Sequence, residues 1–170
     1  WGRLTDPESK FKILYGGIDS KEVTQRLPDP SGAMGAIQRI LANDIACKNV
    51  AADFALRPSE RRLFPKIEID IIPGVNPAAD EQIRRAIMHL HELILGRFDS
   101  VNNSEVTRTF DLFSGIISDS KSRAGISKVE SYSCQTLAEK TPRDADPDYS
   151  IRAWRGVVTY LLRQHEFLYE

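Results

Sequence analysis

The residues of this 170-residue chain best equipped for chemistry are three histidines, two cysteines and a run of alternating aspartates. His89 and His91 form an H-x-H pair. On a helix, two positions apart means about 200° of rotation, so the two rings cannot chelate one metal as an i, i+4 pair does. Both fall on the shoulders of an apolar stripe, where boundary residues are commonly polar. His165 falls on an apolar face with Trp154 and Leu162, the setting of a hydrogen-bonded histidine near a core. Asp144, Asp146 and Asp148 alternate as the opening of a calcium loop does, but Tyr149 stands where the glycine is needed and Arg155 where the glutamate is needed. The same residues are accounted for by a turn stiffened by Pro147 and a helix capped by Asp148. No metal site or catalytic constellation is expected from these spacings.

Other signatures are missing as well. The chain has no G-x-S-x-G elbow, no phosphate-binding G-x-x-x-x-G-K and no G-x-G-x-x-G. Asn102-Asn103-Ser104 fits a glycosylation acceptor, though helix capping is the favoured reading of those residues. Cys47 and Cys134 belong to neither C-x-x-C nor the haem-attaching C-x-x-C-H, so no cofactor is expected. Residue physics alone leaves two readings of the cysteines open: a bridge closing a long loop, or two buried thiols acting as small apolar groups.

The elements that must position these residues read as helical. The clearest is 76–96: Asn76 caps, Pro77 suits the first turn, and Ile83, Ala86, Ile87, Leu90, Leu93 and Ile94 share one face. Gly96 supplies the stop. Short helices are expected from Asp6 or Pro7 to Leu14 and again after Asp19. Ser31 opens a longer helix through Met34, Ile37, Leu41 and Ile45, with a break at Lys48-Asn49 and a further short helix from Val50. Residues 66–72 alternate polar and apolar, so Ile67, Ile69 and Ile71 should face one way in an extended segment. Asn103 or Ser104 starts a helix with Val106, Phe110, Phe113 and Ile117 on one side. A short helix is expected near Cys134, and Asp148 should cap a final one carrying Ile151, Trp154, Val158, Leu161 and Leu162. The fold class is therefore all-α, an irregular bundle of about four main helices with short accessory helices and one extended segment.

Composition sets the remaining bounds. At 41% hydrophobic and 28% charged, the chain suits one globular domain spanning 1–170. A formal charge of -1 offers no basic excess for nucleic acid, and no run of about 20 apolar residues offers a membrane span. A start at Trp1 and an apolar-rich end suggest part of a longer or processed polypeptide.

Five stretches carry a family resemblance: LYGGIDSKEVTQR (14–26), NDIACKNVAADFAL (43–56), RRLFPKIE (61–68), IRRAIMHLHELILG (83–96) and DYSIRAWRGVVTYLLRQHEFLYE (148–170). In this order they resemble the C-terminal region of large exported, planctomycete-type bacterial multidomain proteins associated with c-type cytochrome modules. The resemblance implies a periplasmic or extracellular setting and favours the bridge between Cys47 and Cys134, because an oxidising compartment sustains disulfides. It places any haem outside these residues. Two functions are then expected. One is a non-catalytic helical interaction domain or extrinsic subunit of a periplasmic or cell-surface assembly, a redox complex included. It would meet other subunits or the remaining domains of the parent chain through Trp1, Phe167, Leu168 and Tyr169. The alternative is a domain of an exported hydrolase acting on an extracellular polymer through carboxylates assembled in the fold.

Overall fold

The computed structural model describes residues 32–128, 145–164 and 166–169. The expected helices near residues 6–14, after Asp19 and around Cys134, together with Trp1, His165 and Asp144, lie outside them. Among the described residues the fold is all-α. Four main helices make it up: α1 (Gly32–Phe54), α2 (Pro77–Leu95), α3 (Ser104–Ser122) and α4 (Ser150–Leu161). A 3-10 turn at Pro58–Glu60 and the short α5 (Glu166–Tyr169) complete it. None is long and apolar enough to cross a membrane.

α4 is the centre of the bundle, packed chiefly on α1 and α3, while α2 lies against α3. Its expected stripe is the buried one: Ile151, Trp154, Val158, Leu161 and Leu162 all face inward. Opposite them, α1 presents Ala42, Ala46, Val50 and Ala51. These side chains are small enough for the two helix backbones to approach closely. Trp154 joins three elements, with its ring centroid 5.0 Å from that of Phe64 and 4.4 Å from that of Phe113. Phe64 in turn stacks on Phe54 at 4.4 Å. This aromatic series ties the end of α1, the loop after it, α4 and α3 into one core.

α2 begins and ends as its sequence requires. The Asn76 side chain accepts from the Ala79 N–H, and Gly96 takes the left-handed conformation at φ 65°. The first turn is stapled from outside as well, since Gly74 N–H donates to Asp80 Oδ1. α3 is capped by Asn103, whose side chain accepts from Glu105 N–H. Of its expected stripe, Val106, Phe113 and Ile117 are buried and Phe110 is half-buried under the Arg84 guanidinium.

Three local expectations are corrected. α1 does not break at Lys48-Asn49. Lys48 pairs with Asp44 one turn back at 2.6 Å, and Asn49 Nδ2 donates to the Ile45 carbonyl, so both polar side chains are absorbed within the helix. Residues 66–72 run through successive turns rather than as one extended segment, although Ile67 and Ile69 are buried and Ile71 half-buried, as the alternation implies. The final helix is interrupted after Leu161, and Asp148 does not cap it. That role falls to Asp146, whose two carboxylate oxygens accept from Ile151 and Arg152 N–H at 3.0 Å each. Tyr149 makes this possible by adopting φ 62°, an uncommon conformation for a tyrosine, which turns the chain back over Asp146. Asp148 instead pairs with Lys121 at 3.6 Å.

Candidate functional site

Among the described residues, four buried polar groupings and a cavity are candidate places for chemistry. The first grouping centres on Asp53, in the last turn of α1. Its carboxylate accepts from three successive backbone N–H groups: Arg62 at 2.8 Å, Leu63 at 3.2 Å and Phe64 at 2.9 Å. Next to it, Arg61 is buried and donates to the Leu56 and Ile67 carbonyls, each at 3.0 Å, and to Glu68 Oε2 at 3.1 Å. Together an acid and a base fold residues 55–69 onto the end of α1 and set Phe64 against Trp154. Asp146, 1% exposed, does the same for α4: besides capping the helix, its own N–H donates to the Lys128 carbonyl at 2.8 Å.

The remaining grouping has the order of a hydroxyl–imidazole–carboxylate triad. Asp99 Oδ2 lies 2.7 Å from His91 Nδ1, and His91 Nε2 lies 3.1 Å from Thr109 Oγ1. That alignment is the one that activates a nucleophile. Here it has no access to a substrate. Thr109 is 0% and His91 1% exposed, and the threonine hydroxyl donates to the Glu105 carbonyl at 2.8 Å. None of the three residues lines the cavity. The cluster is a clasp that joins α2, the 96–103 loop and α3. Arg97 and Asn103 complete it by donating to Asp99 Oδ1 at 3.2 and 3.0 Å. His89 is separate, with its Nε2 2.9 Å from the Arg62 carbonyl.

Asp99 gives the clasp a pH signature. Burial acts to raise its pKa, but the bond from His91 and the charge of Arg97 outweigh it, and the carboxyl lies below its ordinary 3.8. A depressed carboxylate contributes stability that is present above the unfolded value and is lost as pH falls through the folded one. Thermal midpoints measured from pH 7 down to 2 should therefore fall more steeply below about 3.8 in the parent protein than in Asp99→Asn. Parallel profiles would show that the carboxylate adds nothing.

The cavity, about 570 Å³, lies between α4, α3 and α1. Arg152, Arg155, Gly156, Thr159, Tyr160, Arg163 and Gln164 form one wall, Leu112 and Ile116 a second, and Asn43 the third. Among the described residues that line it there is no carboxylate. Among the described residues no group of three or more histidines, cysteines, aspartates or glutamates is placed to hold a metal ion.

The residues singled out from sequence are scattered. Cys47 is half-buried on α1, whereas Cys134 lies outside the described residues. Phe167 packs half-buried against the core and so is not a free surface aromatic. Leu168 and Tyr169 follow it in α5. The exposed aromatic that sequence reasoning missed is Phe98, 86% exposed in the loop after Gly96. Its signal was available, since it follows a helix stop and belongs to no apolar stripe. Arg97 pairs with Glu166 at 3.7 Å, which brings α5 to the same end of the bundle.

The chain matches no family model, no curated protein and no solved structure.

Proposed function

We propose that this chain is a non-catalytic helical interaction domain, an extrinsic part of an exported bacterial assembly of the kind that accompanies c-type cytochrome modules. The observation that carries the reading is how the buried polar groups are spent. Asp53, Arg61, the His91 clasp and Asp146 each satisfy backbone or side-chain partners that hold loops to helices. An enzyme places such groups where substrate can reach them. The hydrolase alternative requires two carboxyl groups roughly 5 to 9 Å apart in a cleft, and the described residues that line the cavity include none.

The docking surface in this reading is the end of the bundle where α2 stops. Phe98 projects there, Leu93 is partly exposed one turn before the helix stop, and α5 is held alongside by the Arg97–Glu166 pair. Aromatic anchors of this kind dominate protein interfaces. In an oxidising compartment Cys47 would pair with Cys134, the one other cysteine of the chain.

The test is the intact mass and elution size of the protein isolated from its native host, with and without thiol alkylation. A mass two units light, together with co-elution with larger subunits that Phe98→Asp abolishes, is the expected result. Two freely alkylated cysteines, or a lone monomer whose size Phe98→Asp leaves unchanged, would overturn it.

A further inference from the structure

Phe98 stands in water although its side chain gains nothing there. Among the described residues the other phenylalanines are buried or half-buried, whereas Phe98 is 86% exposed. A slack loop would let the ring fold back onto apolar surface, because removing it from water is favourable. Leu93, partly exposed one turn before the helix stop, is surface of that kind.

The residues on either side explain why the ring stays out. Before it, Gly96 N–H donates to the Glu92 carbonyl at 3.1 Å and Arg97 N–H to the His91 carbonyl at 3.2 Å, which fixes the chain as it leaves α2. After it, the Asp99 side chain is turned inward, 8% exposed, with Oδ2 2.7 Å from His91 Nδ1. Asn103 donates from Nδ2 to Asp99 Oδ1 at 3.0 Å, and its N–H closes a turn on the Ser100 carbonyl at 2.9 Å. The Arg97 guanidinium spans the position, with one nitrogen 3.2 Å from Asp99 and another 3.7 Å from Glu166 of α5. Phe98 therefore lies between two anchored neighbours, and the main chain has little slack with which to draw its ring inward.

His91 is the root of this arrangement. Its ring is 1% exposed and is met on the far side by Thr109 Oγ1 at 3.1 Å. The place of Asp99 is thus set by the packing of α2 on α3 and not by the loop itself. A buried polar network in which each member has its partner is rigid.

We infer that the His91–Asp99 clasp is a lock, which holds the 96–103 loop in one conformation and presents Phe98 outward as a preset anchor. A side chain already ordered in the free protein loses little freedom when a partner receives it, so binding is strengthened without any new contact. The purpose of the lock rests on the docking role given to Phe98 above, but the lock itself is tested with no partner present.

Backbone nitrogen-15 relaxation of the full chain is the direct test. Arg97, Phe98 and Asp99 should have order parameters matching those of α2 and α3, about 0.85, and values below about 0.6 would overturn the lock. Chymotrypsin supplies a second test, since it cuts after a phenylalanine only where the chain opens locally. The parent should resist cutting after Phe98 despite the exposed ring, and His91→Gln should be cut there roughly tenfold faster, as the loss of a hydrogen bond to a charged group implies. Cutting after the buried Phe54 and Phe113 is the internal control and should not rise with it. Equal rates in parent and variant, or an equal rise at all three sites, would overturn the inference. The relaxation measurement needs no variant and decides the matter if His91→Gln does not fold. A failed lock is also distinct from a failed docking site, because only the latter is read by co-elution with Phe98→Asp.

Discussion

Trp154→Ala should cost the fold about 3 to 5 kcal/mol, the range for deleting a large aromatic from a close-packed core. Trp154 is 0% exposed and touches the rings of both Phe64 and Phe113. Each such aromatic contact adds about 0.5 to 1.5 kcal/mol beyond area burial. Set against a net stability of about 5 to 15 kcal/mol, the loss leaves a marginal protein. Urea unfolding followed by circular dichroism would measure it. Trp154→Phe is the informative companion, because it keeps a ring between Phe64 and Phe113. It also removes the indole N–H, which has no hydrogen-bond partner among the described residues. A loss of only about 1 to 2 kcal/mol is expected there. Equal losses in the two variants would mean that a smaller ring between Phe64 and Phe113 contributes nothing and that the full indole is what the core needs.

Asp53→Ala should be comparably severe, for a different reason. The carboxylate sits at the C-terminal end of α1, where the helix dipole disfavours negative charge. Three backbone N–H groups offset that, and removing their acceptor leaves all three without it, the Phe64 N–H buried and the other two partly buried. At about 1 to 3 kcal/mol for each orphaned group, partly relieved by water, the expected total is about 3 to 5 kcal/mol. Hydrogen exchange localises the effect: in Asp53→Asn the amides of Arg62, Leu63 and Phe64 should lose protection before those of α2. Unchanged protection would show that Arg61 alone holds the loop.

How far each feature could be read in advance depends on how local its cause is. Asn76 and Gly96 act on atoms within one helical turn, so the bounds of α2 were visible in the sequence. The stripe of α4 was visible for the same reason, because periodicity needs no knowledge of partners. The supposed break at Lys48-Asn49 came from treating two polar residues as turn formers, when each has a partner on the preceding turn. Asp146 was passed over for Asp148 because the helix start depends on a tyrosine in the left-handed region, which no propensity anticipates. The His91 clasp was hidden by the neighbouring His89, which drew notice to an H-x-H spacing. Its true partners, Asp99 and Thr109, meet His91 only after the 96–103 loop has turned. The basic side of α4 was open to detection, since Arg152, Arg155 and Arg163 fall away from the apolar stripe at helical intervals.

The bond from Asp146 to the Lys128 carbonyl has a consequence for the evolution of the chain. It closes the polypeptide on itself at one point, next to the start of the central helix. Both partners are main-chain atoms, so the contact survives any side-chain change at 128, and the exit from α3 and the entry to α4 stay in register while the sequence drifts.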